Sequence, residues 1–282
     1  MIYTSVTPDF CNLDYRISLL NKSTASNHIY QQTSTQSNTR NMQNNMNARD
    51  SNSADMTHIN SSNTSYIAKR DFLFRFINPN TRTQIKMDDE SLYSTTDQLT
   101  ADRISKDILK FVPNTSIITD ATACIGGTAY SFSQFFSKVN AIEIDSSRYT
   151  LLVNNISVLL KETGKDNISF YNDDSINVCR QLKQHVIFID PPWGGPDYKK
   201  QAKLSLYLSN IELSSVCKQL HSYTEYIVLK VPTNFDENRF IANTQHFLTL
   251  VHKNTSLRKM YLLIFRCNIS IYHLQPTQIT PR

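Results

Sequence analysis

The stretch that most constrains this chain is His185–Tyr198, H-V-I-F-I-D-P-P-W-G-G-P-D-Y. Val186–Ile189 is a continuous apolar run rich in β-branched residues, which predicts a strand buried on both faces. Asp190 ends it, and Pro191-Pro192 exclude any continuation as strand or helix. The chain must therefore turn sharply at the carboxyl edge of a sheet, where open α/β sheets bind ligands. The prolines hold the Asp190 side chain and the Pro191 carbonyl in fixed positions. Trp193, the only tryptophan in the chain, follows at once, and Gly194-Gly195 let backbone approach a flat ligand. A rigid pair of acceptors beside an aromatic plate suits holding a planar base by its exocyclic amine. The plainer alternative is a tight turn capped by a core tryptophan, and the flanking Asp and G-G-P-D-Y weigh against it.

The 282 residues leave room for one domain of about 200 residues plus tails. A net charge of +5 permits nucleic acid as a partner without requiring it. Cys11, Cys124, Cys179, Cys217 and Cys267 are scattered with no C-x-x-C, which points to a reducing compartment and to no metal site. No apolar run reaches the ~18–20 residues of a membrane span, and Asp9, Asn12 and Asp14 interrupt any signal-peptide core. An intracellular soluble protein is expected. Of only five glycines, all but Gly164 fall in the doublets Gly126-Gly127 and Gly194-Gly195, where backbone geometry leaves little choice.

Residues 1–66 are dominated by Asn, Ser, Thr and Gln, cannot bury enough surface to offset their ordering entropy, and are expected to be disordered. Tyr15–Leu20 is a candidate transient helix or docking peptide within that tail. Order is expected from near Tyr66, with a strand or lid over Asp71–Ile77. Leu99, Ile104, Ile108 and Leu109 stand at helical spacing behind Thr96 or Asp97 as N-cap, so residues 67–112 form a lid-like unit. Ser116–Thr119 predicts a strand ending in Asp120, followed by the small-residue loop A-T-A-C-I-G-G and a helix over Thr128–Phe136. Val139–Ile144 predicts the next strand. Its Glu143 lies roughly 20 residues past the first acid, where a carboxylate can accept both hydroxyls of a ribose. A helix over Arg148–Lys161, with Leu151, Leu152, Ile156 and Leu159 inward, and a strand over Ile168–Tyr171 come next. A helix over Leu204–Leu220, a strand over Tyr223–Val231 and a short helix from Glu237 follow. Phe247–His252 and Met260–Cys267 then make a closing antiparallel pair. Strands alternating with helices and ending in a hairpin predict an α/β, Rossmann-like domain over residues 113–270, with 271–282 as a tail.

The run P-P-W-G-G-P-D-Y resembles the trimethylguanosine synthase family, whose members methylate the guanine N2 amine of the RNA cap. D-A-T-A-C-I-G-G resembles the D-x-x-x-G-x-G-G loop of S-adenosylmethionine (SAM) methyltransferases, with Cys124-Ile125 where that pattern has Cys-Gly. The resemblance spans roughly residues 87–267. It implies a class I SAM-dependent methyltransferase: a doubly wound, mostly parallel seven-stranded sheet with a C-terminal antiparallel hairpin. It further implies cofactor contacts from Ala121, Cys124, Gly126 and Gly127 of the loop, from Asp120 to the ammonium, and from Asp174 to adenine. Y-S-T-T-D is similar to the family's F-S-V-T-P element, which carries cofactor contacts to Tyr93 and Thr96. By the same resemblance Asn155 touches the methylated guanine, and Tyr198 and Lys259 bind cap phosphates. The family's arginine in L-P-R-N falls on Thr233, so one phosphate contact is either lost or moved to Lys230. SAM as cofactor, m7G-capped RNA as partner, a monomer, and a nuclear or cytoplasmic location complete what the resemblance implies.

In chemical terms, Asp190 and the Pro191 carbonyl are expected to accept the two amine hydrogens, and Trp193 to stack a cationic 7-methylguanine. The family often has Ser at the Asp190 position, while Asp or Asn is usual in base amino-methyltransferases. Two other readings stay open. One is an N6-adenine or N4-cytosine methyltransferase, which shares D-P-P-[YW] and flips its base but for which no target-recognition stretch is present. The other is a non-catalytic RNA- or cap-binding module, against which the acids at 120, 143, 174 and 190 argue.

Overall fold

A computed structural model of the protein describes the backbone of residues 55–268 except Arg258. Side chains are described from Thr64 onward, those of Pro196 and Arg258 apart. The expected element at Tyr15–Leu20, most of the expected N-terminal tail and residues 271–282 lie outside the described residues.

Four short apolar segments form parallel strands: β1 (Ile117–Asp120), β2 (Lys138–Ile142), β3 (Ile168–Tyr171) and β4 (Val186–Ile189). After a small hairpin of β5 (Tyr207–Leu208) and β6 (Ile211–Glu212), the main sheet resumes with β7 (Tyr226–Pro232), β8 (Leu248–Asn254) and β9 (Met260–Cys267). The seven-stranded sheet has the order β3-β2-β1-β4-β7-β9-β8. β9 runs antiparallel to both of its neighbours. The chain winds one way from β1 and the other way from β4, so the switch point, where such sheets open a ligand crevice, lies between those two strands.

Nine α-helices appear among the described residues: α1 (Asp55–Leu73), α2 (Pro79–Arg82), α3 (Ser91–Ser94), α4 (Gln98–Ile108), α5 (Gly127–Phe135), α6 (Ser146–Lys161), α7 (Ser175–Cys179), α8 (Leu213–Leu220) and α9 (Glu237–Thr244). None is long and apolar enough to cross a membrane. Aspartates cap α4, α6, α7 and α9, each accepting from a backbone N–H of the first turn, which satisfies a donor the helix leaves orphaned. The two-residue period of β4 sorts its side chains between two core layers. Val186 and Phe188 pack with Ile104, Phe132 and Leu152 on one side, and Ile187 and Ile189 with Val216, Leu220 and Phe240 on the other. This is the doubly wound sheet with a C-terminal antiparallel hairpin that the sequence predicts.

Three local expectations give way. Asp71–Ile77 is the end of α1 and a turn, not a strand. Leu73, Phe74 and Ile77 are buried while Phe72 and Phe76 are exposed, which is helical spacing rather than alternation, and α1 starts at Asp55 rather than near Tyr66. Leu204–Leu220 is not one helix: β5 and β6 occupy its first part, and only Leu213–Leu220 is helical. Asn210 and Ser209 adopt positive φ at the hairpin tip, a conformation a helix excludes. Leu99, expected inward on α4, is 38% exposed, whereas Ile104 and Ile108 are buried as expected.

Phe188 is fully buried and meets Phe132 edge-on at 5.3 Å between ring centroids. Phe188→Ala should lower unfolding free energy by about 3–5 kcal/mol, read as a fall in the urea midpoint at unchanged m-value.

Candidate active site

Asp120 ends β1 at the switch point and is completely buried. Its Oδ1 accepts the Thr122 N–H at 3.2 Å, and its Oδ2 has no hydrogen-bond partner among the described residues. Burial pushes its carboxyl up to about 7, with Asp190 and Glu143 adding to the rise and the Thr122 amide and Lys230 opposing it. A buried carboxylate with one acceptor unmet is a receptor for a cation or a donor.

The loop after Asp120 is held from two sides. Gly126 has φ +101° and opens α5; a Cβ there would come within 2.9 Å of Ile156 on α6. At Gly127 a Cβ would meet both the Thr95 methyl and the Thr96 carbonyl at 2.8 Å. Cys124 takes φ +50° and donates its N–H to Glu143 Oε2 at 3.0 Å. Glu143, just past β2 and buried, also accepts the Asp145 N–H at 2.9 Å and faces Arg148 Nε at 3.5 Å. A carboxylate has about four lone-pair directions, so two backbone bonds leave it able to accept from a diol. Asp174 caps α7 through Ile176 N at 2.7 Å.

The Asp190 turn is tied to this loop. The Asp190 N–H donates to Thr122 Oγ1 at 2.8 Å, and its Oδ2 lies 2.5 Å from Lys230 Nζ. Lys230, only 4% exposed, also donates to Thr96 Oγ1 at 2.8 Å and sits 5.4 Å over the Trp193 ring. Burial raises the Asp190 carboxyl, and the charge and hydrogen bond of Lys230 pull it back. Trp193 is half-buried, meets Tyr198 edge-on at 5.2 Å, and keeps a buried Nε1 with no partner among the described residues. Gly194 and Gly195 have φ of +88° and +73° with open space where a Cβ would go. They are needed here for backbone conformation rather than for close approach.

Asp120, Ala121, Cys124, Gly126, Gly127, Glu143, Asp174 and Asp190 thus lie along the carboxyl ends of β1–β4, and Thr96 joins them through Lys230. Three expected residues do something else. Tyr93 on α3 is 80% exposed, and it is Thr95 that approaches the loop, 4.0 Å from Cys124 Sγ. Asn155 is not presented to a ligand. It is fully buried; its Nδ2 donates to the Lys86 and Ile125 carbonyls, and its Oδ1 accepts from Lys86 N and Asn154 Nδ2. All four hydrogen-bonding positions of its amide are used. Lys230 is bound to Asp190 and is not a free cation for phosphate, because a lysine this buried must keep its partner. Lys259 is exposed at φ +64° in the turn before Met260, which pairs with Pro232, at the same sheet edge as the site. Arg258, beside it, is outside the described residues.

Thr122 and Thr95 were not singled out by sequence. Thr122 is the one hydroxyl in a loop otherwise of small, mostly apolar residues, a signal that could have found it. Lys230 is the lone charge in Y-I-V-L-K-V, which could have predicted a buried acid as its partner.

Sheet order, switch-point acids and the glycine-bearing loop define a class I methyltransferase fold. The chain belongs to the RNA cap guanine-N2 methyltransferase family, whose sequence model matches residues 115–268, more than half of the chain. An uncharacterised protein of Acanthamoeba polyphaga mimivirus is 34% identical over 46% of this chain and 52% of its own length. The trimethylguanosine synthase of Schizosaccharomyces pombe is 26% identical over 56% of this chain and 67% of its own. The chain thus spans about half the length of the viral relative. A solved Porphyromonas gingivalis W83 structure with a methyltransferase designation aligns at a TM-score of 0.50 and 13% identity. It covers 77% of this chain and 59% of the other, a likeness of fold alone.

Asn155→Ala should cost about 1–3 kcal/mol of stability, because it strands backbone groups of Lys86 and Ile125; a residue that only touched substrate would leave the melting temperature unchanged. Asp120 gives a pH signature. Its folded pKa of about 7 lies above the ordinary 3.8, so its burial costs nothing below pH ~4 and destabilises increasingly up to pH ~7. The melting temperature of Asp120→Asn minus that of wild type should therefore rise with pH across this window. About three units corresponds to a gain on the order of 4 kcal/mol above it.

Proposed function

We propose that the chain transfers a methyl group from SAM to the exocyclic N2 amine of a 7-methylguanosine RNA cap, m2,7G being the first product. The observation that carries this reading is the Asp190-Pro191-Pro192-Trp193 turn, fixed at the switch point by Thr122 and Lys230; family membership supports it. The residues present fit the cofactor: Asp120 Oδ2 is an unmet acceptor for an ammonium, Glu143 keeps lone pairs for ribose, and Asp174 stands at the end of β3 for adenine. Gly126 and Gly127 complete that cradle. When bound, SAM supplies an electrophilic methyl carried on a cationic sulfur.

The rest falls to this chain's own groups. Guanine N2 is a weak nucleophile because its lone pair is delocalised into the ring. Lys230 opposes the upward push of burial on Asp190 and holds Oδ2, so Oδ1 and the Pro191 carbonyl can accept the two amine hydrogens and favour a pyramidal nitrogen. Alignment of this kind supplies up to ~7–11 kcal/mol of a barrier, and the Asp190 charge offsets the charge developing on the amine. The Asp190 carboxyl, raised by burial, is then in position to take up the released proton at Oδ1. Trp193 offers an indole to a cationic base, with Tyr198 and Lys259 near for phosphate. Capped RNA is the partner this site calls for. The aspartate at 190, the residue type usual in adenine and cytosine amino-methyltransferases, keeps an N6- or N4-directed reaction as the second reading.

Incubation with labelled SAM and RNAs ending in G, m7G caps or A caps, followed by nucleoside analysis, should place label only on the m7G cap, as m2,7G or m2,2,7G. Label on adenine or cytosine instead would establish the second reading. Trp193→Ala should keep SAM binding and weaken m7GTP by about 30–150-fold, the ~2–3 kcal/mol of stacking and cation–π attraction. Titration of m7GTP against GTP checks it: an unchanged preference in a folded variant would remove the stacking role.

A further inference from the structure

The outward side of α4 carries Arg103 and Lys106, and Lys110 follows in the turn beyond. The spacing i, i+3, i+7 sets all three on one side, and all three are exposed. Facing them, the end of β8 presents His252 and Asn254, and an open groove of about 520 Å³ runs between, within the ~300–1,000 Å³ typical of ligand sites. The acid in its floor, Asp107, is already engaged: Oδ1 with Lys110 at 2.6 Å, Oδ2 with Asn254 Nδ2 at 2.5 Å. Its Oδ1 also lies 3.9 Å from His252 Nε2. Lys253 reaches the rim, but its ammonium pairs with Glu237 at 2.5 Å. Arg103 has no ion-pair partner among the described residues, and Lys106 meets only the Phe135 ring, 6.0 Å away. The groove therefore keeps uncompensated positive charge.

Its position matters as much as its charge. Thr96, which holds Lys230 at the acceptor turn, immediately precedes the cap residue of α4. At ~1.5 Å per residue, Arg103 and Lys106 stand about 10 and 15 Å along from it.

We propose that this groove carries the phosphate backbone of single-stranded RNA beyond the nucleotide held at the Asp190 turn. The proposal rests on the RNA-cap reading of that turn. Phosphates of a chain leaving the site meet Arg103 first and Lys106 next, with Lys110 loosened from Asp107 as a third contact. The interaction is with backbone charge and carries no base specificity.

Arg103→Gln/Lys106→Gln tests it on two substrates, a cap dinucleotide and a capped RNA of about 20 nucleotides. The KM for capped RNA should rise about tenfold, towards the dinucleotide value, while kcat and KM for the dinucleotide stay unchanged. The slope of log K against log salt for uncapped RNA should fall in magnitude by about 1.4, at ~0.7 for each lost phosphate contact. Arg103→Lys/Lys106→Arg should restore both. Unchanged KM and slope overturn the proposal, as does equal damage to dinucleotide turnover. An acidic peptide that binds this groove in place of uncapped RNA, and is lost in the double variant, assigns it to a protein partner and overturns it too. If wild type methylates no cap, the function proposed above fails, while uncapped-RNA binding by wild type and variant still decides the groove.

Discussion

A single buried ion pair holds the acceptor turn together. Lys230 reaches Asp190 across two neighbouring strands, with Thr96 and Trp193 completing its surroundings. Removing either partner would leave the other as an unpaired polar group in so dry a place, which is costly. The pair also polices register. β4 and β7 pair with Ile189 opposite Leu229, and a one-residue slip of β7 would turn Lys230 to the other face of the sheet, into the apolar layer of Ile187, Ile189 and Val216 and away from Asp190. One electrostatic contact thus ties the strand pairing to the placement of the carboxylate that faces the ligand.

Around this pair the other acids differ in how far the protein has satisfied them. Glu143 and Asp174 spend part of their capacity on backbone amides, which fixes their orientation. Asp120 is left short of a partner and uncomfortable in its charge. A site that stabilises two carboxylates and strains a third has reserved the third for something brought from outside. The cleft is therefore not uniformly acidic: it holds one unmet demand at a defined atom.

The sheet was legible in the sequence because buried parallel strands are written as plain apolar runs closed by acids and turn residues, as at Val186–Ile189 and Ile168–Tyr171. Failures came where two periods fit the same letters. Phe72, Phe74 and Phe76 alternate perfectly, yet the core takes Leu73, Phe74 and Ile77, a choice made by the neighbouring layer and invisible in the local pattern. Leu204–Leu220 reads as amphipathic throughout, but Ser209-Asn210 accept the left-handed turn that lets the first half fold back. At the site, residue types were legible and partnerships were not. Asn155 and Lys230 were both expected near the ligand, and what redirects them is a contact with a residue far away in sequence, Lys86 for one and Asp190 for the other.

Asn155 has a dynamic consequence as well. Its one amide clasps the backbone at Lys86, ahead of the Thr95-Thr96 strap, and the carbonyl of Ile125, in the loop that the strap covers. Neither segment can lift away without releasing the same side chain. They should therefore open as one cooperative unit, with amide protons on both segments exchanging at a common rate. Access to the cleft is then governed by a single local unfolding event rather than by two independent loop motions.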